Sequence, residues 1–233
     1  VHGETGLGSA CLPDADFEAR DGAVSFLCKT LSEREGEITV VAVGPLTNLA
    51  LAERQAPGIL AKARNVVVMG GAVAEPGNVT PTAEFNFFAD PDAAQRVLAS
   101  TDNVVLIPLD VTHRVGIPKA DIVGRLAREA TERTRFFEQA TRAVVNYGKR
   151  TGGYEGMFLH DPTAVAFVLR PDLFGVETVF ADVEVEGALT AGQLVVDGRD
   201  VAEAERKGFP TRVAMEVDAN PVLRLFEERV FDD

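Results

Sequence analysis

Three short apolar runs, at 37–43, 65–69 and 103–109, each stop at a glycine, proline or aspartate and alternate with helical patterns. Val, Ile and Leu fill consecutive positions in these runs rather than every second one. Strands of that kind are covered on both faces, which calls for a parallel sheet sandwiched between helices. Helices are expected over 17–32, 47–56, 91–100, 120–147, 161–169 and 221–229, from apolar residues spaced three and four apart. Asp90-Pro91 is a strong start signal, because the carboxylate accepts from free backbone N–H groups and proline sits where its absent N–H costs nothing. After a glycine-rich link at 148–156, the tail reads as strands at 177–186, 193–196 and 211–217, with Asp197-Gly198 as a turn between two of them. The expected fold is α/β, a mostly parallel open sheet with helices on both faces, in one domain spanning 1–233. In such sheets ligands lie at the carboxyl ends of the strands, so the loops after Val43, Met69 and Leu109 are the places to search.

Composition narrows the function classes. Of 233 residues, 46% are hydrophobic and 25% charged, which is the balance of a folded globular chain. The net charge of −13 would repel a phosphate backbone, so nucleic acid is not an expected partner. No apolar run approaches the roughly 18–20 residues of a membrane helix. Cys11 and Cys28 have neither metal-ligand spacing nor the density of a disulfide framework.

Four segments carry residues that could do chemistry. The 70–90 loop is rich in polar groups, among them Asn78, Thr80, Thr82, Glu84, Asn86 and Asp90. Were Glu84-Phe85-Asn86-Phe87 extended, the acid and the amide would share one face and both rings the other. An acceptor-only carboxylate beside a donor–acceptor amide suits sugar hydroxyls. The alternative is a solvated loop with local turns. His160-Asp161-Pro162 opens an apolar stretch, and Asp161 is either a helix N-cap or an oxygen ligand for a hard cation beside an imidazole that acts near neutral pH. Gly44-Pro45-Leu46-Thr47-Asn48 and Asp110-Val111-Thr112-His113 are either plain connections or ligand-facing loops.

In series, His2-Gly3-Glu4-Thr5-Gly6-Leu7-Gly8, Gly44-Pro45-Leu46-Thr47-Asn48-Leu49-Ala50, Val68-Met69-Gly70-Gly71, Gly77-Asn78-Val79-Thr80, Ala83-Glu84-Phe85-Asn86, Asp90-Pro91, Leu109-Asp110-Val111-Thr112 and His160-Asp161-Pro162 resemble the inosine-uridine preferring nucleoside hydrolases over most of the chain. The resemblance implies hydrolysis of the N-glycosidic bond of ribonucleosides to ribose and free base, by attack of a Ca²⁺-bound water on the anomeric carbon. It further implies that Thr47 gives its backbone carbonyl, and Asp161 its carboxylate, to Ca²⁺. Asn78, Glu84 and Asn86 would hold the ribose, with Met69 contributing through its backbone. His160 would act as leaving-group acid, and His2 would lie near the base. The family's usual cytoplasmic location and dimeric or tetrameric assembly come with the same resemblance.

One departure matters. The family's Asp-Thr-Asp-Pro-Gly-x-Asp-Asp segment, which supplies the general base and most calcium carboxylates, has no counterpart in this sequence. The chain begins at Val1 inside the first matching block, so the expectation is an N-terminally truncated hydrolase lacking its first strands, poorly stable, weak in Ca²⁺ binding and inactive alone. A non-catalytic nucleoside- or ribose-binding module on the same scaffold is the alternative, and a structural remnant without ligand is a third. With no Trp, and only Tyr147 and Tyr154 near His160, the base preference leans to pyrimidines or is broad.

Overall fold

A computed structural model describes residues 6–12, 21–151 and 154–231. In chain order the elements are α1 (Ala23–Glu33), β1 (Thr39–Ala42), α2 (Thr47–Gln55), β2 (Asn65–Met69), α3 (Phe85–Ala89), α4 (Pro91–Ser100), β3 (Val104–Ile107) and the one-turn α5 (Leu109–Thr112). There follow β4 (Gly116–Pro118), α6 (Lys119–Arg128), α7 (Glu132–Thr151), β5 (Gly156–Phe158), α8 (His160–Leu169), β6 (Phe174–Val183), β7 (Leu194–Val196), β8 (Phe209–Val217) and α9 (Ala219–Val230). They pack as two compact units, one from Arg20–Thr112 and His160–Asp218, the other from His113–Leu159 and Ala219–Asp233 with the N-terminal residues.

The larger unit is built on a six-stranded sheet of order β1-β2-β3-β8-β6-β7. The first four strands are parallel, with Val67 opposite Val105 and Leu106 opposite Val213. β6 runs antiparallel to β8 and β7 antiparallel to β6, so the mostly parallel sheet ends in an antiparallel edge. The consecutive apolar residues are explained by the pleat, which sends neighbours to opposite faces. Val66, Val68, Val104 and Leu106 join Leu31 of α1, Leu49 and Ala52 of α2, and Val97 and Leu98 of α4. Val67, Met69, Val105 and Ile107 join Leu109 and Val111 of α5 and Ala164 and Phe167 of α8. Each valine so buried contributes about 1.5–3 kcal/mol relative to an exposed one. A sheet covered on both faces can present polar loops only at its strand ends.

Several expectations are corrected. Asp197-Gly198 does not close a hairpin, because β7 and β8 lie on opposite sides of β6. The Asp197 carboxylate instead accepts from Lys207 N–H (2.8 Å) and binds Arg199, folding the long connection back on itself. The single helix expected over 120–147 is two, in the smaller unit. Glu129 leaves helical geometry, and the Thr131 hydroxyl accepts from Thr134 N–H (3.2 Å), a cap that restarts the chain as α7. That helix runs on to Thr151, into the stretch expected as a link. β5 was not expected at all. Three residues long and antiparallel to β4, it is too short to announce itself by alternation. In the same unit Arg125 lies 2.9 Å from Glu227 and 4.5 Å above the Phe231 ring, fastening α6 to α9.

Candidate active site

All the described site residues belong to the larger unit and lie at or beyond the carboxyl ends of β1, β2 and β3, or at the start of α8, which packs on β1 and β2. His2 lies outside the described residues. The loop after β2 makes the centre of the site. Gly71 turns the backbone at φ 78°, a conformation that costs residues with a Cβ, and its N–H donates to Glu84 Oε2 (3.3 Å). The loop then winds so tightly around Gly77 that a Cβ there would run into the carbonyl oxygens of Thr80 and Ala83.

Residues 84–87 are not extended as their sequence suggests. Glu84 is the N-cap of α3, its Oε2 accepting from Asn86 N–H at 2.9 Å, and helical backbone follows from Phe85. The two rings therefore part company. Phe87 is fully buried, while Phe85 stands half exposed. Glu84 and Asn86 are nevertheless brought together, both buried, because the capping bond joins them directly. Asn86 Nδ2 donates to the Met69 carbonyl (3.0 Å), tying the loop to the end of β2 and fixing the plane of its amide. Asn78 Oδ1 accepts from Phe85 N–H (2.9 Å), so all three loop residues are fastened to α3 or its cap.

Glu84 is the electrostatic centre of the group. Burial, its largest influence, drives the carboxyl up to about 7, against the opposing pull of N–H donors from Asn86, Gly71 and Phe87. The negative charge of Asp161 pushes in the same direction as burial, which brings the start of α8 into Glu84's field. α8 opens at His160, one residue earlier than expected, so Asp161 sits inside its first turn, with Pro162 after it, rather than at the N-cap position. His160 Nδ1 is 2.7 Å from the hydroxyl of Thr112.

Thr47, the first residue of α2, is exposed, and its hydroxyl donates to Asp90 Oδ2 at 2.5 Å. Asp90 Oδ1 accepts from Ala93 N–H (3.1 Å), the expected N-cap of α4 with Pro91 in the first turn. Sequence reasoning gave no role to the Thr112 hydroxyl and left Asp110 in a segment that was either a plain connection or a ligand-facing loop. Asp110 proves to be buried and accepts from Val73, Ala74 and Glu75 N–H groups at 2.8, 2.7 and 3.1 Å. No periodicity marks either residue, because their partners, the loop at 73–75 and His160, are distant in sequence.

The donors available to a metal are oxygens, as a hard cation requires. Among the described residues, however, no group of three or more His, Cys, Asp or Glu converges as a metal cage. Thr47 and Asp161 suit such an ion in kind but do not complete its shell.

The family model of the inosine-uridine preferring nucleoside hydrolase matches residues 1–224. A pyrimidine-specific ribonucleoside hydrolase, RihA, from Salmonella agona is 39% identical over 199 residues, covering 84% of this chain and 63% of its own length. The chain thus spans less than two thirds of that relative. Among solved structures, the plant nucleoside hydrolase PpNRh1 superposes with a TM-score of 0.93 at 28% identity, covering 100% of this chain and 74% of its own. A purine-preferring ribonucleoside hydrolase from Gardnerella vaginalis gives 0.88 at 31% identity, covering 98% and 72%.

Proposed function

The chain belongs to the inosine-uridine preferring nucleoside hydrolase family, and on that premise we propose that its 70–90 loop and α8 form the ribose-holding half of a ribonucleoside N-glycosidase site. The observation that carries this reading is the buried Glu84–Asn86 pair, bonded to each other and to Met69 at the end of β2. Glu84 offers acceptors to ribose hydroxyls, Asn86 an acceptor oxygen on an amide held flat by Met69, and Asn78 a further amide. Breaking the N-glycosidic bond builds oxocarbenium-like positive charge on the sugar. The Glu84 carboxylate, already held by backbone N–H groups in a buried site, stabilises that charge without having to reorganise, and the exposed Asp161 adds its charge from the start of α8. A ribose hydroxyl donating to Glu84 draws its carboxyl back down from about 7 and so favours the ionised form the reaction needs.

His160 serves as the leaving-group acid. A neutral imidazole carries one N–H and would be left as an imidazolate, so acid assistance requires either the protonated ring or a shuttle that replaces the proton as it passes to the departing base. Ca²⁺, when bound, supplies a positive anchor for sugar and water oxygens, with the Thr47 carbonyl and Asp161 carboxylate as the ligands this chain contributes. The general-base aspartate and the remaining carboxylates implied by the family are not in this sequence. The chain by itself therefore holds Ca²⁺ weakly and turns over nucleoside negligibly. A pyrimidine-leaning or broad preference is supported by the 39% identity to the pyrimidine-specific RihA and by the absence of Trp.

The test is a reducing-sugar assay on uridine and inosine, with Ca²⁺ or EDTA. It compares this chain with the same chain carrying a segment with the family's Asp-Thr-Asp-Pro-Gly-x-Asp-Asp motif fused ahead of residue 1. Ribose release by the fused protein alone, in Ca²⁺, and faster from uridine, is the expected result. Silence in both proteins refutes the enzymatic reading, and robust release by the unfused chain refutes the need for the acidic segment.

A further inference from the structure

The turn α5 consists of four residues, all buried, yet two of them are polar: Asp110 is 5% exposed and Thr112 is 0%. Buried polar groups are costly unless satisfied, so a pair of them in one apolar turn demands an explanation. Leu109 and Val111 fill the core beneath the sheet face shared with α8, and the two polar side chains leave the turn in separate directions along the site. Asp110 accepts three successive backbone N–H groups, those of Val73, Ala74 and Glu75, with both carboxylate oxygens. Charge-assisted bonds of this kind are stronger than neutral ones, and three on consecutive residues leave the backbone there little freedom. That backbone is the root of the loop carrying Asn78, Glu84 and Asn86. Two residues further on, the Thr112 hydroxyl meets His160 Nδ1 at 2.7 Å.

We infer that α5 is a positioning element that sets the ribose-holding loop and the leaving-group histidine in one register. Asp110 clamps the root of the loop, and Thr112 donates to Nδ1 of His160, which puts the ring proton on Nε2. Neither residue touches substrate. Both act through the groups they hold, as outer partners of functional imidazoles and carboxylates commonly do. The inference rests on the reading of His160 as leaving-group acid for its catalytic consequence, but its structural content stands apart from it.

The experiment uses four proteins, wild type, Thr112→Val, Thr112→Ser and Asp110→Asn, and reads three quantities. Imidazole ¹⁵N spectra at a single pH identify the ring tautomer. The expected result is an unprotonated Nδ1 in wild type and in Thr112→Ser, and a mixture of tautomers in Thr112→Val, which keeps the buried shape. A protonated Nδ1 in wild type, or a Val variant indistinguishable from it, overturns the Thr112 assignment. Amide hydrogen exchange at 73–75 is expected to rise about tenfold or more in Asp110→Asn, whose NH₂ cannot accept, and to stay unchanged in Thr112→Val. Unchanged exchange in Asp110→Asn overturns the clamp.

The same substitutions in the fused protein are expected to split the kinetics. Thr112→Val lowers kcat about tenfold with little change in KM, Thr112→Ser restores it, and Asp110→Asn chiefly raises KM. Equal losses from both substitutions, without rescue by serine, indicate general destabilisation and overturn the positioning role. If even the wild-type fused protein releases no ribose, the enzymatic reading has failed, and the tautomer and exchange measurements still decide whether α5 aligns the two groups.

Discussion

Replacing Glu84 with glutamine tests the site's electrostatics through stability. The Glu84 carboxyl is 2% exposed and its pKa rises from 4.5 to about 7 on folding, chiefly because burial disfavours the charged form. A raised carboxyl binds its proton more tightly in the folded state, so its full contribution is present below about pH 4.5 and is lost as pH climbs through 7. The loss above both values is about 3 kcal/mol. Glutamine keeps an oxygen that can accept from Gly71 and Asn86 N–H, and it has no charge at any pH. Urea unfolding of both proteins in EDTA, from pH 4 to pH 8, isolates this group, because all other titrations cancel in the difference. Relative to wild type, Glu84→Gln is expected to gain about 3 kcal/mol across that range. Asp161→Asn, which removes only the smallest of the influences on Glu84, should leave most of the wild-type pH dependence in place. A Glu84→Gln difference that is flat with pH, or a dependence abolished by Asp161→Asn, would refute the attribution to burial.

Other substitutions probe the loop from different sides. Asn86→Ala strands the Met69 carbonyl and should cost about 1–3 kcal/mol in chemical denaturation; a neutral result would mean that the Asn86–Met69 bond contributes nothing to the fold. Gly77→Ala drives a methyl group into two backbone carbonyls that cannot retreat independently, and should destabilise by about 1–3 kcal/mol while raising protease sensitivity at 72–83. Asp90→Ala removes the cap of α4 and the acceptor of Thr47 together, with an expected loss of about 1 kcal/mol in thermal unfolding.

What the sequence made legible was what local pattern can encode. The buried runs at β1, β2 and β3 announced themselves by continuous aliphatic residues, and Asp90-Pro91 by a capping preference that needs no tertiary partner. The break between α6 and α7 was hidden because the apolar period continues across 129–131, and only the side-chain cap at Thr131 interrupts it. The extended reading of 84–87 failed for a related reason. An alternating acid–Phe–amide–Phe pattern fits a strand, but Glu84 gains more by capping a helix than by lying beside one. The pairing of Glu84 with Asn86 survived that error, since a cap and its second helical residue are also neighbours. Thr112 and Asp110 were beyond reach, because their partners lie 48 and 35–37 residues away and no spacing rule links them.

The central claim is that the loop after β2 and the start of α8 hold the sugar of a ribonucleoside, and the most direct measurement is a ribose titration followed by side-chain amide NMR. Saturable shifts at the Nδ2 resonances of Asn78 and Asn86, absent when Glu84→Ala is titrated in parallel and absent with a sugar lacking the hydroxyls, are the predicted outcome. Unmoved asparagine amides at saturating ribose, in a chain that is folded by the same spectra, would contradict the account.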